Sequence, residues 1–452
     1  MIFESAWYSQ YQDKSMPKYV RLYFCIRREI EKGNIEPSFK LPSIRCVAKE
    51  LSLSTTTVEN AYNQLLVEGY IYSIPQKGYY AAQLDKTFFD INKPVSKEKE
   101  FIEPSRMNTE YIDITLFNFH EWRKLYAQVV ADFPQLFFQD GDPQGEFELR
   151  KALSDYVYQA RGVECNPNQI VVGAGVQTLL HAICDITAGI LPPKVAFEEP
   201  GFTDVRPVFT NRGYSLYAIA LDKSGIRVES LFESRASMCY VSPSHQYPTG
   251  LVMPIQNRLE LLKWAEQTKG FILEDDYDSE LRFEGRPVPS LFSLDKKHRV
   301  IYMGSFSTLL APSIRISYMI LPQTLKKLYQ EKSQDYRSTV STQEQLTLAL
   351  FLKDGFFGRH LRRMRKKCSE KLKVLLSEAE KYHSFINLYS TDTGTFVFME
   401  AKDDAIAERI RYNAQQLRVR LTESWERFFV LNYASIPEDK YCNFLMNLMK
   451  EG

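Results

Sequence analysis

The sequence has few cysteines and no pattern among them. The seven cysteines stand at 25, 46, 165, 184, 239, 368 and 442, and none forms a Cys-x-x-Cys pair. An odd, scattered set argues against a disulfide framework or a structural zinc site and fits a reducing cytoplasm. No apolar run approaches the ~18 residues that cross a bilayer. Residues 1–10 lack a basic segment followed by an apolar core, so neither a membrane span nor a secretory signal is expected. Charge of one sign is not in excess: 57 Lys and Arg face 56 Asp and Glu, so any nucleic-acid surface must be local. No internal repeat of solenoid period is present. With 44% hydrophobic and 25% charged residues, the chain is neither disordered, collagen-like nor a coiled coil. Its 452 residues allow two or three domains at ~150 residues each.

What is there divides by composition. Residues 1–82 hold three short helical patterns and an aromatic, Gly-containing tail. Residues 83–112 are charged and poorly periodic, as a linker is. From 113 to 452, apolar strand-like runs alternate with amphipathic helical stretches. Runs at 169–172, 194–197, 238–241, 271–273 and 300–303 are examples, and the alternation predicts an α/β fold with a mostly parallel sheet.

In the first segment a helical stripe over 19–35 is followed by Leu41-Pro42-Ser43, where Ser43 suits the N-cap of a helix over 44–51. Ser54 suits the N-cap of a third helix over 55–68, with Val58, Ala61, Tyr62, Leu65 and Leu66 inward and Gly69 ending it. Residues 70–74 and 79–82 then flank Pro75-Gln76-Lys77-Gly78 as a two-stranded wing. Two helices, a tight turn and a hairpin describe a winged helix-turn-helix for duplex DNA, and a three-helix bundle that binds nothing shares the pattern. Charge does not decide between them, because residues 1–85 hold ten basic and nine acidic side chains. The third helix, the candidate reader, has no basic residue. It offers Thr55, Thr56, Thr57, Asn60 and Asn63, which can bond phosphates and base edges but release no counterions. Arg21, Arg45, Lys49 and Lys77 lie around it.

The large segment carries several runs with chemistry. Glu274-Asp275-Asp276-Tyr277-Asp278-Ser279-Glu280 follows a strand, where open α/β sheets bind ligands, and a metal site or a solvated loop are equal readings. Ser242-Pro243-Ser244-His245-Gln246-Tyr247-Pro248-Thr249-Gly250 follows another strand. Val171-Val172-Gly173-Ala174-Gly175-Val176-Gln177 lacks the full dinucleotide fingerprint but suits a single phosphate at a helix N-terminus. Gly304 to Arg315 adds hydroxyls at Ser305, Ser307 and Thr308 and a guanidinium. The basic run over 359–373 reads as a solvated or interdomain helix face, with a supplementary DNA-backbone surface as the minority reading.

Two resemblances follow from these motifs. Lys40-Leu41-Pro42-Ser43-Ile44-Arg45, the run Val58 to Tyr70 and Gln76-Lys77-Gly78-Tyr79 resemble the winged helix of GntR-family transcription regulators. The family often has an arginine after the serine that opens the reading helix; Thr55 stands there. The runs of the large segment, in their order, resemble a fold-type I aminotransferase domain, the pyridoxal-phosphate class. The combination over nearly the whole chain resembles the MocR/GabR subfamily, which implies a homodimer with ligand-modulated DNA binding.

Carried over from that family, Asp275 would pair the pyridine nitrogen and Tyr277 would lie near the ring oxygen. Gly175 and Gln177 would form the phosphate-side turn, and Ser305, Ser307 and Arg315 the phosphate clamp. His245 and Gln246 would lie in the ring-side loop. Departures accompany these matches. Thr308 stands at the Schiff-base lysine, with no lysine between Lys297 and Lys326. Phe202 replaces a stacking tyrosine, Asp204 replaces a ligand-side arginine, and the C-terminal arginine aligns near Glu426 and Arg427. The joint loss favours natural degeneration over one engineered Lys→Thr change. The expectation is a cytoplasmic DNA-binding regulator with domains 1–82 and 113–452, a small-molecule effector, pyridoxal phosphate held without a covalent link, no metal, and little or no transaminase activity. An active aminotransferase and a ligand-free dimerising scaffold are the alternatives.

Overall fold

The computed structural model describes residues 16–84, 117–283, 288–333, 336–389, 393–417, 421, 424–437 and 440–450. The chain forms two compact units, residues 1–103 and 104–452. Nearly all of the stretch read as a linker lies outside the described residues.

In the first unit, helices α1 (Lys18–Glu31), α2 (Ile44–Glu50) and α3 (Thr55–Val67) precede an antiparallel hairpin, β1 (Ile71–Ile74) and β2 (Gly78–Ala81). The first helix stops four residues before the expected end, just ahead of Gly33, which has φ +77°. Both expected caps form: the Ser43 hydroxyl accepts from the Cys46 amide at 3.3 Å and the Ser54 hydroxyl from the Thr57 amide at 3.1 Å. The stripe Val58, Ala61, Tyr62 and Leu65 is buried against Leu22, Ile26 and Val47. Tyr62 also donates to the Pro42 carbonyl at 2.9 Å, fixing α3 against the turn before α2.

The second unit is built on an eight-stranded sheet. Its strands are β3 (Ile170–Gly173), β4 (Lys194–Glu199), β5 (Ser215–Asp222), β6 (Gly225–Ile226), β7 (Met238–Val241), β8 (Phe271–Asp276), β9 (Val300–Ser305) and β10 (Ser317–Ile320), in the order β3-β10-β9-β8-β7-β4-β5-β6. The six strands β3, β9, β8, β7, β4 and β5 run parallel; β10, inserted between β3 and β9, and the edge strand β6 run against them. The period-two alternation of side chains fills two cores. Val171, Ile301, Met303 and Met319 face one layer with α6 (Val176–Thr187) and α8 (Gln323–Lys332). Val172, Tyr302 and Tyr318 face the other with α4 (Phe119–Asp132), α5 (Phe147–Arg161) and α9 (Thr342–Lys353). Helix α7 (Ile255–Thr268) covers Ile272 and Val300. This is the α/β, mostly parallel architecture expected of the large segment.

Helix α10 (Phe356–Ala379) leads into a four-stranded antiparallel sheet of order β11-β12-β14-β13. Its strands are β11 (Ile386–Tyr389), β12 (Val397–Ala401), β13 (Ser424–Trp425) and β14 (Phe428–Leu431), packed with α11 (Asp404–Gln416) and α12 (Tyr441–Met449).

Strand β8 extends three residues beyond its expected end. Glu274, Asp275 and Asp276 continue the ladder opposite Tyr302, Met303 and Gly304, and all three are buried. The acidic run is therefore not a solvated loop at this point. Among the described residues no cluster of His, Cys, Asp and Glu is arranged to hold a metal ion.

Candidate functional site

The parallel strands place the C-terminal ends of β3, β4, β7, β8 and β9 at one sheet edge, and the reversed strand β10 brings its N-terminal end there too. Gly173, Ser305 and Ser317 stand in register across β3, β9 and β10. The segments that follow these strands build the site.

At one end Gly175 opens α6 with φ +95°. A Cβ there would stand 2.3 Å from Nη2 of Arg315, so only glycine lets the guanidinium lie on the helix N-terminus. Ser317 donates to Ser305 Oγ at 3.0 Å, and the Ser307 amide donates to Ser305 Oγ at 3.3 Å. Ser307 Oγ is buried with no partner among the described residues. A guanidinium, two hydroxyls and free helix-terminal amides suit a phosphate.

At the other end the strand alternation separates three neighbouring carboxylates. Glu274 accepts the amides of Leu291 and Phe292, each at 2.8 Å. Asp276 accepts from Arg161 Nε at 2.7 Å and from the Tyr302 hydroxyl at 2.6 Å, and Arg161 also donates to Ser244 Oγ at 2.6 Å. Both are spent on structure. Asp275 points the other way. Its partner is the Tyr240 hydroxyl at 2.5 Å, and no cation pairs with it among the described residues. Burial pushes its carboxyl up to about 7, against the hydrogen bond from Tyr240, with Asp276 and Asp278 adding to the rise. A buried carboxylate without a cation suits a protonated ring nitrogen.

Tyr277 turns its hydroxyl to His245 Nδ1 at 3.2 Å, and the same nitrogen lies 2.8 and 2.9 Å from the two oxygens of Asp278. The imidazole stacks on Tyr277 and, at 4.9 Å between centroids, on Phe396, the residue just before β12. Gly394 (φ +85°) makes room for it, since a Cβ there would come within 2.3 Å of the ring. Phe202 meets Tyr247 edge-on at 5.8 Å, and Tyr247 meets Phe396 and Tyr277 in the same manner.

The other expected residues make contacts of their own. Gln246 is a loop staple: its amide donates to the carbonyls of Pro200 and Tyr247 and accepts from the Thr249 amide. Gln177 is exposed and donates to the Asp204 carbonyl at 2.7 Å, tying the 202–204 segment to α6. Arg427 donates to the Lys402 carbonyl within the C-terminal sheet. Thr308 lies half-buried in the turn after Ser307. Among the described residues Lys371 is the one buried lysine, and it donates to the carbonyls of Ala434 and Ile436.

The sequence reading missed Glu198, Tyr240 and Phe396. Glu198 Oε2 accepts the Ser242 amide at 3.1 Å, Oε1 is buried with no partner among the described residues, and burial raises the group to about 8. A carboxylate at the C-terminal end of an apolar strand was its available signal.

In the first unit, Lys40, Ser43, Arg45, Lys77 and Tyr79 line an open cleft of about 380 Å³ between α2 and the wing. Thr55, Thr56 and Asn60 are exposed on α3, whereas Thr57 is half-buried and its hydroxyl lies 2.7 Å from that of Ser54.

Comparison with known proteins agrees with both units. The model of aminotransferase class I and II matches residues 115–441, and that of the bacterial regulatory proteins of the gntR family matches residues 18–80. A Bacillus subtilis HTH-type transcriptional regulator, YdeL, is 40% identical over 374 residues, covering 81% of this chain and 80% of its own. The probable rhizopine catabolism regulatory protein MocR of Rhizobium meliloti is 30% identical over 94% of this chain and 92% of its own. The chain belongs to the MocR-type regulators of the GntR family. It is a DNA-binding transcription regulator with an aminotransferase-like domain. An archaeal alanine:glyoxylate aminotransferase shares that fold with a TM-score of 0.67 and 22% identity, over 75% of this chain and 88% of that one.

Proposed function

We propose that this MocR-type regulator holds a phosphorylated vitamin B6 form, such as pyridoxal phosphate, without a covalent link, and that the occupied large domain modulates DNA binding without transaminating. The cofactor, when bound in enzymes, supplies an electron-accepting ring. Here Asp275 would hold its ring nitrogen and Tyr277 its ring oxygen, while Phe202 would cover a ring face. Gly175, Ser305, Ser307 and Arg315 would hold the phosphate. His245 positions Tyr277, and Gln177 and Gln246 shape the surrounding loops. The domain bounds of this reading are 1–82 and 113–452. Arg45, Thr55, Thr56, Asn60 and Lys77 would contact DNA, with Thr57 serving mainly as cap partner.

What supports the reading is that the Asp275 carboxyl, without a cation, and the Gly175–Arg315 cradle lie at one sheet edge, while the family resemblance puts Thr308 where the amine would be. A threonine hydroxyl neither forms a carbon–nitrogen linkage to an aldehyde nor shuttles the proton of transamination. The active-aminotransferase reading needs a lysine nitrogen at this edge, and the one buried lysine among the described residues is engaged elsewhere.

The test is the absorbance of the purified full chain after mixing with pyridoxal phosphate and desalting. Retained free-aldehyde absorbance without a borohydride-sensitive visible band supports the proposal. A borohydride-sensitive visible band overturns it in favour of the enzyme.

A further inference from the structure

Helix α10 buries one face through Phe357, His360, Leu361, Met364, Cys368, Lys371 and Leu375. Its opposite face exposes Arg359, Arg362, Arg363, Lys366, Lys367 and Lys373. At 3.6 residues per turn these six lie within an arc of about 140° and along about 21 Å of the axis. The single acidic residue in this stretch, Glu370, lies 3.9 Å from Lys366. Arg359 rests on the Phe356 ring at 4.3 Å. Arg362, Arg363, Lys367 and Lys373 have no ion pair among the described residues. The half-buried Arg365 belongs to the inner side, where it donates to the Glu280 carbonyl.

This charge works against the helix that carries it. Arg359 with Arg363, Arg362 with Lys366 and Arg363 with Lys367 are like-charge pairs four residues apart, each unfavourable by a few tenths of a kcal/mol. The first turn has no acidic residue, and cations near a helix N-terminus oppose its dipole. A bound polyanion would relieve both costs.

We propose that the 359–373 face of α10 is a sequence-independent contact surface for the phosphate backbone of duplex DNA. Three observations select this partner. The reading helix of the proposed function, α3, has no Lys or Arg, so counterion release by the winged helix falls to cations beside it such as Arg45 and Lys77, and further cations add to it. No large exposed apolar side chain lies between 356 and 379, which removes the anchor a membrane surface requires. The same lack of aromatic or aliphatic anchors disfavours a protein partner, whose affinity rests on buried hot spots. A phosphate backbone needs only spaced cations.

The test uses the full chain and a mixed-sequence duplex of roughly 40 base pairs, titrated at several salt concentrations. The charge reversal R362E/R363E/K366E/K367E is compared with K124E/K151E/K263E/K327E, which changes the net charge equally at other exposed sites. Four lost phosphate contacts should flatten the log–log salt slope by about 3.6 and lower affinity on the order of 10- to 100-fold, with little change in slope in the control. The neutral variant R362Q/R363Q/K366Q/K367Q, which leaves the buried face intact, should lie between wild type and the reversal. Circular dichroism checks that each variant is folded. An unchanged slope in both helix variants, or an equal loss in the control, overturns the proposal. In the first case an acidic protein partner becomes the better reading of the face.

Discussion

Asp275 shares its strand with Glu274 and Asp276, yet it alone of the three faces the ligand edge without an amide or a guanidinium to neutralise it. Replacing it with asparagine keeps the shape and removes the charge. A charge-assisted contact is worth about 1.5–3 kcal/mol, so Asp275→Asn should weaken binding of pyridoxal phosphate by roughly 10- to 100-fold by equilibrium dialysis, and wild-type affinity in that variant would remove the role assigned here. At the other end, Gly175→Ala places a methyl group where the Arg315 guanidinium now lies. We expect it to cost phosphate-bearing ligands more than pyridoxal itself, and equal losses for the two would contradict the cradle. What the sequence could not reveal at this scale is direction. Three adjacent carboxylates look alike in a row, and only the pleat of β8 and its partners separate one binding group from two structural ones.

The strands themselves hold a second consequence of burial. Asp275 in β8 and Glu198 in β4 are raised to about 7 and about 8, chiefly by desolvation. Unfolded carboxyls titrate near pH ~4, so between there and about 7–8 the folded unit keeps protons that the unfolded chain has lost. Stability is then fully present below the unfolded pKa and falls as pH rises through this window. The thermal midpoint of the ligand-free protein should drop between pH 5.5 and 8 (~2.5 pH units), and the double variant Asp275→Asn/Glu198→Gln should flatten that dependence. A midpoint that rises with pH would show these groups to be ionised in the fold. In the winged helix the legible elements were the local ones. Ser43 and Ser54 announce two caps, the 58–61–62–65 spacing gives the buried stripe, and Gly69 ends α3. Ser54→Ala should cost about 1 kcal/mol in the unfolding of that unit. Arg45→Ala and Lys77→Ala should weaken binding to all duplex sequences and flatten its salt dependence, while unchanged affinity in both would remove the contact geometry. The contacts of the ligand edge were less legible because they are made across sequence. Phe396 reaches His245 from about 150 positions away, and Tyr240 meets Asp275 from a neighbouring strand. Periodicity identifies strands but not which of their residues meet.

At the scale of the whole chain, one regulator joins a DNA-reading unit to an aminotransferase-like unit. We expect a homodimer in which two winged helices read two half-sites, because the family it belongs to implies one and a symmetric operator requires two readers. Light scattering at micromolar concentration should return twice the mass of 52.6 kDa, and a monomer would count against this arrangement. Domain order was readable from motif order along the sequence, since each motif is local to its strand–turn–helix segment. The proposed loss of catalysis rests chiefly on one position, Thr308, at an edge that keeps Asp275 and the Gly175–Arg315 cradle. The most direct measurement restores that position. Thr308→Lys and the present chain are each mixed with pyridoxal phosphate, desalted, and their visible spectra recorded before and after borohydride. The account predicts a reducible yellow band in Thr308→Lys and none in the present chain; a band in the present chain, or a folded Thr308→Lys protein that retains no cofactor, would contradict it.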